Sequence, residues 1–393
     1  MKNKITFVIP SRNNLEFLQL AYKSIRRLNN VHEILVLNDA STDGTQEWID
    51  SLDDDDVIVY HNSGPERIGI VGMFDKGIEM ARTDIIMAFH ADMIAGPNLD
   101  ENILKHLERG KVVSATRVEP PLHPPGPEKI TMNFHFGPDA EAYNFDWNGF
   151  FSWAENIGLK DTKTTEGVFA PWCMYKEDFL AINGHDELFA PQSKEDSDIF
   201  NRMQLAGYKF VQPWDALVYH FTSRGSRFNK YSGGAAGKDS DEWLYTTTKN
   251  MRNFIRKWGT VVLNDSLMKP IIPPKYNNQF IIENGTSSLL QVLEPWCDNI
   301  NIDIDKSEIE KYIKEEQPNT IIDLTKRINQ NVSNDIQITF DGNKFTQNSF
   351  NIIQQLSTII ESNEIEAGEF EIEIFKIKVN KVKTYEHTLI SAD

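Results

Sequence analysis

Residues 5–45 read ITFVIPSRNNLEFLQLAYKSIRRLNNVHEILVLNDASTDGT, and the pattern of this stretch decides the fold. A β-rich run over residues 5–9 is stopped by Pro10, which has no backbone N–H to give to a sheet. Residues 15–28 then place Phe17, Leu18, Ala21, Ile25 and Leu28 on one helical stripe. A second β-rich run, residues 33–37, leads to the turn Asp43-Gly44 and to residues 45–47, which suit a helix start. Strand, helix and strand in this order form a βαβ unit, whose strands are parallel.

Outward from that unit the alternation continues. Strands are predicted over residues 57–61 and 84–89, and helices over 46–52 and 69–82. From 117 to 160 the pattern breaks into an irregular insertion, with a proline-rich run at 119–127 and then Phe145, Trp147, Phe150, Phe151 and Trp153. Such a segment is either a loop-borne binding surface or a packed edge. Trp147, Trp153, Phe169 and Trp172 are likewise candidates for stacking walls of a binding surface or for core. A helix is expected over 241–258, a proline-containing linker over 263–276, and a second α/β domain over 277–393. Its strands are expected at 279–282, 299–304, 319–324, 335–340 and 370–379, with helices at 287–296, 307–316 and 349–362. The domain reading is therefore 1–262, linker 263–276, and an accessory unit 277–393 in which no constellation of chemistry-bearing residues stands out.

The chain has 58 Asp+Glu against 40 Lys+Arg, a formal charge of −18, which argues against a general nucleic-acid or membrane-surface partner. With 40% hydrophobic residues it has material for a sizeable core. Cys173 and Cys297 stand far apart and read as reduced, buried thiols. The apolar run before Pro10 is too short for a signal peptide, and no stretch reaches the roughly 18 apolar residues of a membrane span. A cytoplasmic location is the resulting expectation, which makes the sequons at Asn264, Asn284 and Asn331 chance matches.

Four features fall where the carboxyl ends of parallel strands would gather them, and ligands of open α/β sheets bind at such ends. They are Pro10-Ser11-Arg12-Asn13-Asn14, Asn38-Asp39-Ala40-Ser41-Thr42-Asp43-Gly44-Thr45, His90-Ala91-Asp92, and Glu195-Asp196-Ser197-Asp198 with His220 further on. Taken singly, an aspartate after a strand is as well explained by a helix cap, and an acidic helix start by the helix dipole.

In order and spacing these motifs resemble the family 2 glycosyltransferases of the GT-A fold, over roughly residues 1–260. The resemblance implies a Rossmann-like mixed sheet flanked by helices, and inverting transfer of a sugar from a nucleoside-diphosphate sugar to the hydroxyl of a glycan or other acceptor. It implies donor-binding roles for Pro10, Ser11, Arg12, Asp39, Arg67, His90 and Asp92, with Asp39 on the base. Asp196 would be the general base, with Glu195 orienting the acceptor. Asp92 and His220 would hold the divalent cation, Mn²⁺ or Mg²⁺. Arg224 and Arg227, in a glycine-broken segment, would close over the diphosphate; a solvated basic loop is the alternative. His90 departs from the pattern, because it stands where the family has the first aspartate of Asp-x-Asp.

The chemistry is coherent. A nucleoside diphosphate leaves with growing negative charge, which a hard divalent cation offsets as a Lewis acid. Inversion needs a carboxylate within hydrogen-bond reach of the attacking hydroxyl. Two other classes compete: a lapsed nucleotide-sugar or glycan binder, favoured by His90, and a nucleotidyltransferase, disfavoured because the loop after residue 9 has no glycine to cradle a triphosphate. For the C-terminal domain the expectation is an interaction role such as homo-oligomerisation.

Overall fold

The computed structural model describes residues 4–135, 144–224, 227–235, 237–363 and 365–391. The chain forms two compact units, one of Met1–Thr247, Asn264–Pro270 and Ser391–Asp393, the other of Thr248–Leu263 and Ile271–Ile390. The division thus falls at Thr247, inside a long helix, where the sequence reading ended its first domain at 262.

In unit 1 the order is β1 (Ile5–Ser11), α1 (Leu15–Ile25), β2 (Glu33–Asp39), α2 (Thr45–Asp50), β3 (Val57–Asn62), α3 (Gly69–Met80), β4 (Ile85–Ala88), β5 (Met93–Ala95), α4 (Leu99–Leu104), β6 (Lys111–Ser114), β7 (Thr116–Glu119) and β8 (Lys129–Thr131). There follow α5 (Trp147–Asn156), β9 (Thr164–Thr165), β10 (Trp172–Tyr175), α6 (Lys176–Ala181), α7 (Glu195–Leu205), β11 (Lys209–Pro213), β12 (Leu217–His220) and α8 (Asp241–Trp258), the last crossing into unit 2. An eight-stranded mixed sheet runs β3-β2-β1-β4-β10-β6-β11-β9, with β1 to β4 parallel and β10 antiparallel to its neighbours. Strand β1 sits between β2 and β4, which explains its nearly unbroken apolar run. The hydroxyl of Thr6, buried in mid-strand, donates to Glu33 Oε1 at 2.7 Å. Helix α3 lies close on β1 and β2: a Cβ on Gly77 would stand 2.4 Å from Val8 Cγ1, so only glycine fits there without a shift.

A four-stranded sheet, β5-β12-β7-β8, carries an aromatic core of Phe134, Phe145, Phe150, Tyr219 and Phe221, with Trp147 and Trp153 packed against it. The aromatic stretch expected to be irregular is therefore partly helical: Asp146 accepts from Gly149 N–H at 2.8 Å and starts α5. Residues 120–127, the proline-rich run, carry neither helix nor strand. Trp172 is core as well, and Cys173 is a buried free thiol.

Unit 2 contains the end of α8, then β13 (Asn278–Glu283), α9 (Ser287–Leu293), β14 (Asn299–Ile302), α10 (Lys306–Glu316), β15 (Ile336–Asp341), α11 (Gln347–Ser362), β16 (Gly368–Ile372) and β17 (Phe375–Val379). The sheet order is β14-β13-β15-β17-β16, parallel through the first three strands and antiparallel at β17 and β16. Two expectations fail here. Residues 319–324 form no strand: the Gln317 amide donates to the carbonyls of Thr320 and Ile322 and its oxygen accepts from Leu324 N–H, which folds the segment on itself. The apolar alternation over 370–379 is a hairpin, folded back at Glu373, whose φ is 51°. No helix among the described residues is long and apolar enough to cross a membrane.

Candidate active site

A cleft of about 500 Å³ opens at the carboxyl ends of β1, β2, β7 and β12 and the amino end of α7. Strand β1 delivers Pro10 and Ser11 to it, with Arg12 just beyond, and β2 delivers Asp39; His90 and Asp92 follow β4, and His220 ends β12. Glu195 and Asp196 open α7 on the same cleft, and Arg67 and Arg227 also line it. Eleven of the twelve expected site residues therefore meet in one cavity. Arg224 does not; its side chain lines a neighbouring cavity with Asp43 and Tyr231, and its backbone N–H reaches Asp92 Oδ2 at 3.2 Å.

His90, Asp92 and His220 each present a ligand atom, and these atoms all lie within 4.8 Å of one another. His220 Nε2 stands 3.6 Å from Asp92 Oδ1, while Nδ1 is 2.8 Å from Glu119 Oε1. Two imidazoles and a carboxylate suit a divalent ion such as Mn²⁺ or Mg²⁺, the imidazoles favouring the former. Burial is the largest influence on His90 and lowers its pKa, against the opposing pull of Asp196 and Asp92, so the ring stays neutral and able to ligate. Glu119 was not singled out in the sequence, where it stands merely at the head of the proline run. Burial would raise its pKa, yet His220, Arg117 and Lys129 together hold it far below the usual carboxylate range.

Asp39 is the cap of α3. Its Oδ1 accepts from Ile68 N–H and Asn62 Nδ2, both at 2.8 Å, and its Oδ2 accepts from Gly69 N–H at 2.7 Å. Gly69 has φ +88° and lies so close to Pro191 that a Cβ would meet its backbone at 2.4 Å. The acidic helix start divides its labour. Asp198 pairs with Arg202 Nε at 2.8 Å inside the protein, whereas Glu195 and Asp196 face the cleft. Burial, with help from the Asp196 charge, pushes the Glu195 carboxyl up to about 8.

Among the described residues, buried Ser11 Oγ, Arg12 Nε, Asn14 Nδ2 and Glu195 Oε2 have no hydrogen-bond partner, and all four residues line this cleft. Orphaned polar atoms gathered in one cavity are what a polar ligand would satisfy. Arg12 and Arg67 both approach Glu242 Oε1, at 3.5 and 2.8 Å, and Arg227 forks onto Asp239 at 2.8 and 3.1 Å. Of the four aromatics weighed as stacking walls, Phe169 alone lines the cleft, with the Arg117 guanidinium 3.8 Å above its ring.

The family model of glycosyl transferase family 2 matches residues 6–164. The undecaprenyl-phosphate mannosyltransferase of Micrococcus luteus is 24% identical over 239 residues, 60% of this chain and 90% of that one. Among solved structures, GalNAc-T7 with UDP, GalNAc and Mn²⁺ aligns with a TM-score of 0.47 at 13% identity, over 80% of this chain and 54% of that one, so the chain spans about half its length. The mannosyltransferase PcManGT of Pyrobaculum calidifontis with GDP-Man and Mn²⁺ aligns with a TM-score of 0.41 at 15% identity, over 65% and 63%. The strand ends that bring Ser11, Asp39 and Asp92 to the cleft lie within residues 6–164, the stretch that matches the glycosyl transferase family 2 model.

Proposed function

We propose that this glycosyltransferase moves a sugar, with inversion, from a nucleoside-diphosphate sugar to an acceptor hydroxyl, and that Asp196 takes the hydroxyl proton. The observation that carries the reading is the meeting, in one cleft, of the His90, Asp92 and His220 triad with Asp196 and the orphaned groups of Ser11 and Arg12. Asp92, His220 and His90 would hold a divalent cation, which would supply Lewis-acid stabilisation of the departing diphosphate. Ser11 and Arg12, with Arg67, bind the nucleotide and its phosphates, and Asp39 stiffens the wall on which the base rests. Inversion requires the acceptor to attack from the face opposite the diphosphate, and Asp196 on the rim of α7 serves that face.

Glu195 orients the acceptor as a neutral carboxyl that donates a hydrogen bond, a role that suits its raised pKa and its unpartnered Oε2. Arg227, already tied to Asp239, contributes charge at the cleft edge.

The test is transfer and donor hydrolysis across a panel of nucleotide sugars with Mn²⁺. Removing a positioned base costs typically 10²–10⁴-fold, so Asp196→Asn should lose turnover by about that factor while still binding nucleotide. Full activity in Asp196→Asn would refute the mechanism. A wild-type protein that binds UDP or GDP with Mn²⁺ but turns over nothing on the panel would mark a lapsed binder, the reading that His90 favours. Calorimetry of UDP or GDP with and without Mn²⁺ checks the metal: the gain should vanish in Asp92→Ala.

A further inference from the structure

We propose that Glu119 is a positioning residue that fixes the tautomer and the direction of the His220 ring, so that Nε2 is presented to the cation. The proposal rests on the metal reading above. Strands β7 and β12 are parallel, and their register, Val118 opposite Tyr219, sets the next residues, Glu119 and His220, side by side at two carboxyl ends. Both are buried, at 2% and 6% exposure, so water does not compete for the contact. Glu119 Oε1 lies 2.8 Å from His220 Nδ1 and also accepts from Arg117 Nη1 at 2.8 Å, and Oε2 accepts from Lys129 Nζ at 3.0 Å.

A carboxylate held on both oxygens by cations has only lone pairs to offer. The ring proton therefore belongs on Nδ1, and the lone pair falls on Nε2, which faces Asp92 Oδ1 at 3.6 Å. Without the carboxylate the imidazole could rotate or carry its proton on Nε2, and either change removes a ligand. Partners of this kind behind a ligating histidine typically cost 10–100-fold in metal affinity when removed.

The experiment titrates Mn²⁺ in the presence of UDP or GDP into wild type, Glu119→Leu, Glu119→Gln, and each in a His220→Ala background. Glu119→Leu should weaken Mn²⁺ roughly 10–100-fold, read against nucleotide affinity in the absence of metal, which the freed Arg117 and Lys129 should raise rather than lower. Glu119→Gln keeps an oxygen for Nδ1–H and should recover most of the loss. In the His220→Ala background the Glu119 substitutions should make no further difference, which a merely structural role would not predict. Should Glu119→Leu fail to fold, ¹⁵N shifts of the wild-type ring decide: the proton is expected on Nδ1.

A proton on Nε2, Mn²⁺ affinity in Glu119→Leu within twofold of wild type, or an equal loss in the His220→Ala background would each overturn the role of Glu119 and leave the metal site standing. Wild type that takes up no Mn²⁺ with either nucleotide would overturn the metal site and this role together.

Discussion

Asp39 offers the sharpest separation between a residue that binds and a residue that builds. Its carboxylate is 4% exposed and receives three donors at 2.7–2.8 Å, two of them the backbone N–H groups that open α3. Hydrogen bonds to a charged group contribute about 1.5–3 kcal/mol each. Asp39→Ala strips all three, but the site borders the cleft, where water can replace part of what is lost, so about 2–4 kcal/mol is expected. Asp39→Asn is the informative change. An amide oxygen in place of Oδ1 still serves Ile68 and Asn62, but the amide NH₂ then faces the Gly69 N–H, donor against donor; the flipped amide abandons two partners. The asparagine should therefore cost nearly as much as the alanine. At roughly 2–4 °C per kcal/mol for a unit of about 250 residues, melting falls by about 4–16 °C. Because the chain has two units, calorimetry is paired with hydrogen exchange of the Gly69–Met80 amides, which should lose protection first. Melting of Asp39→Asn within 1 °C of wild type, with α3 protection intact, would refute the capping argument.

Two further expectations concern charge. Glu195 is raised in the folded protein to about 8 from an ordinary value near 4.5, so the native state holds about one proton more than the unfolded chain between those values. Its contribution to stability is full below the unfolded pKa and is lost as pH rises through 8; the pH dependence of denaturant midpoints should therefore flatten between pH 5 and 8 in Glu195→Gln, and an unchanged slope would contradict it. In unit 2, fully buried Glu294 accepts from Arg256 Nη2 at 2.6 Å, Arg327 Nε at 2.9 Å and Tyr312 OH at 2.9 Å, and although burial raises its pKa, the two arginines lower it further. Glu294→Gln leaves those cations buried and short of charge, at a cost of about 3–5 kcal/mol; exchange protection of the Asn278–Glu283 amides should drop accordingly, and protection equal to wild type would count against this.

What could be read in the sequence follows from the range over which each signal acts. The parallel strands and the loops after them announce themselves locally, through apolar runs ended by Pro10 and Asp39, so ten of the residues named from motifs share the cleft with Arg67. The Arg224 side chain turned elsewhere because a glycine-broken loop carries no periodicity to fix its direction. The hairpin at Glu373 was read as one strand because its two arms keep the same alternation of apolar residues. Glu119 escaped notice for a different reason: its partner His220 is 101 positions away, and only the pairing of β7 with β12 makes them neighbours.

That pairing also bears on how so acidic a protein would take an anionic donor. The cleft has cations, yet each already faces a carboxylate: Arg12 and Arg67 share Glu242, Arg117 and Lys129 face Glu119 and Glu128, and Arg227 faces Asp239. Against these four carboxylates the five side chains bring a net charge of only +1 to a diphosphate unless the donor breaks a pair. The His90, Asp92 and His220 triad carries a single negative charge when both rings are neutral, so one divalent cation there would leave a local charge of +1 facing the donor. On this arithmetic the donor and the cation should bind together and each poorly alone. Tight binding of UDP or GDP without Mn²⁺ would show that one of the five paired side chains gives up its carboxylate instead.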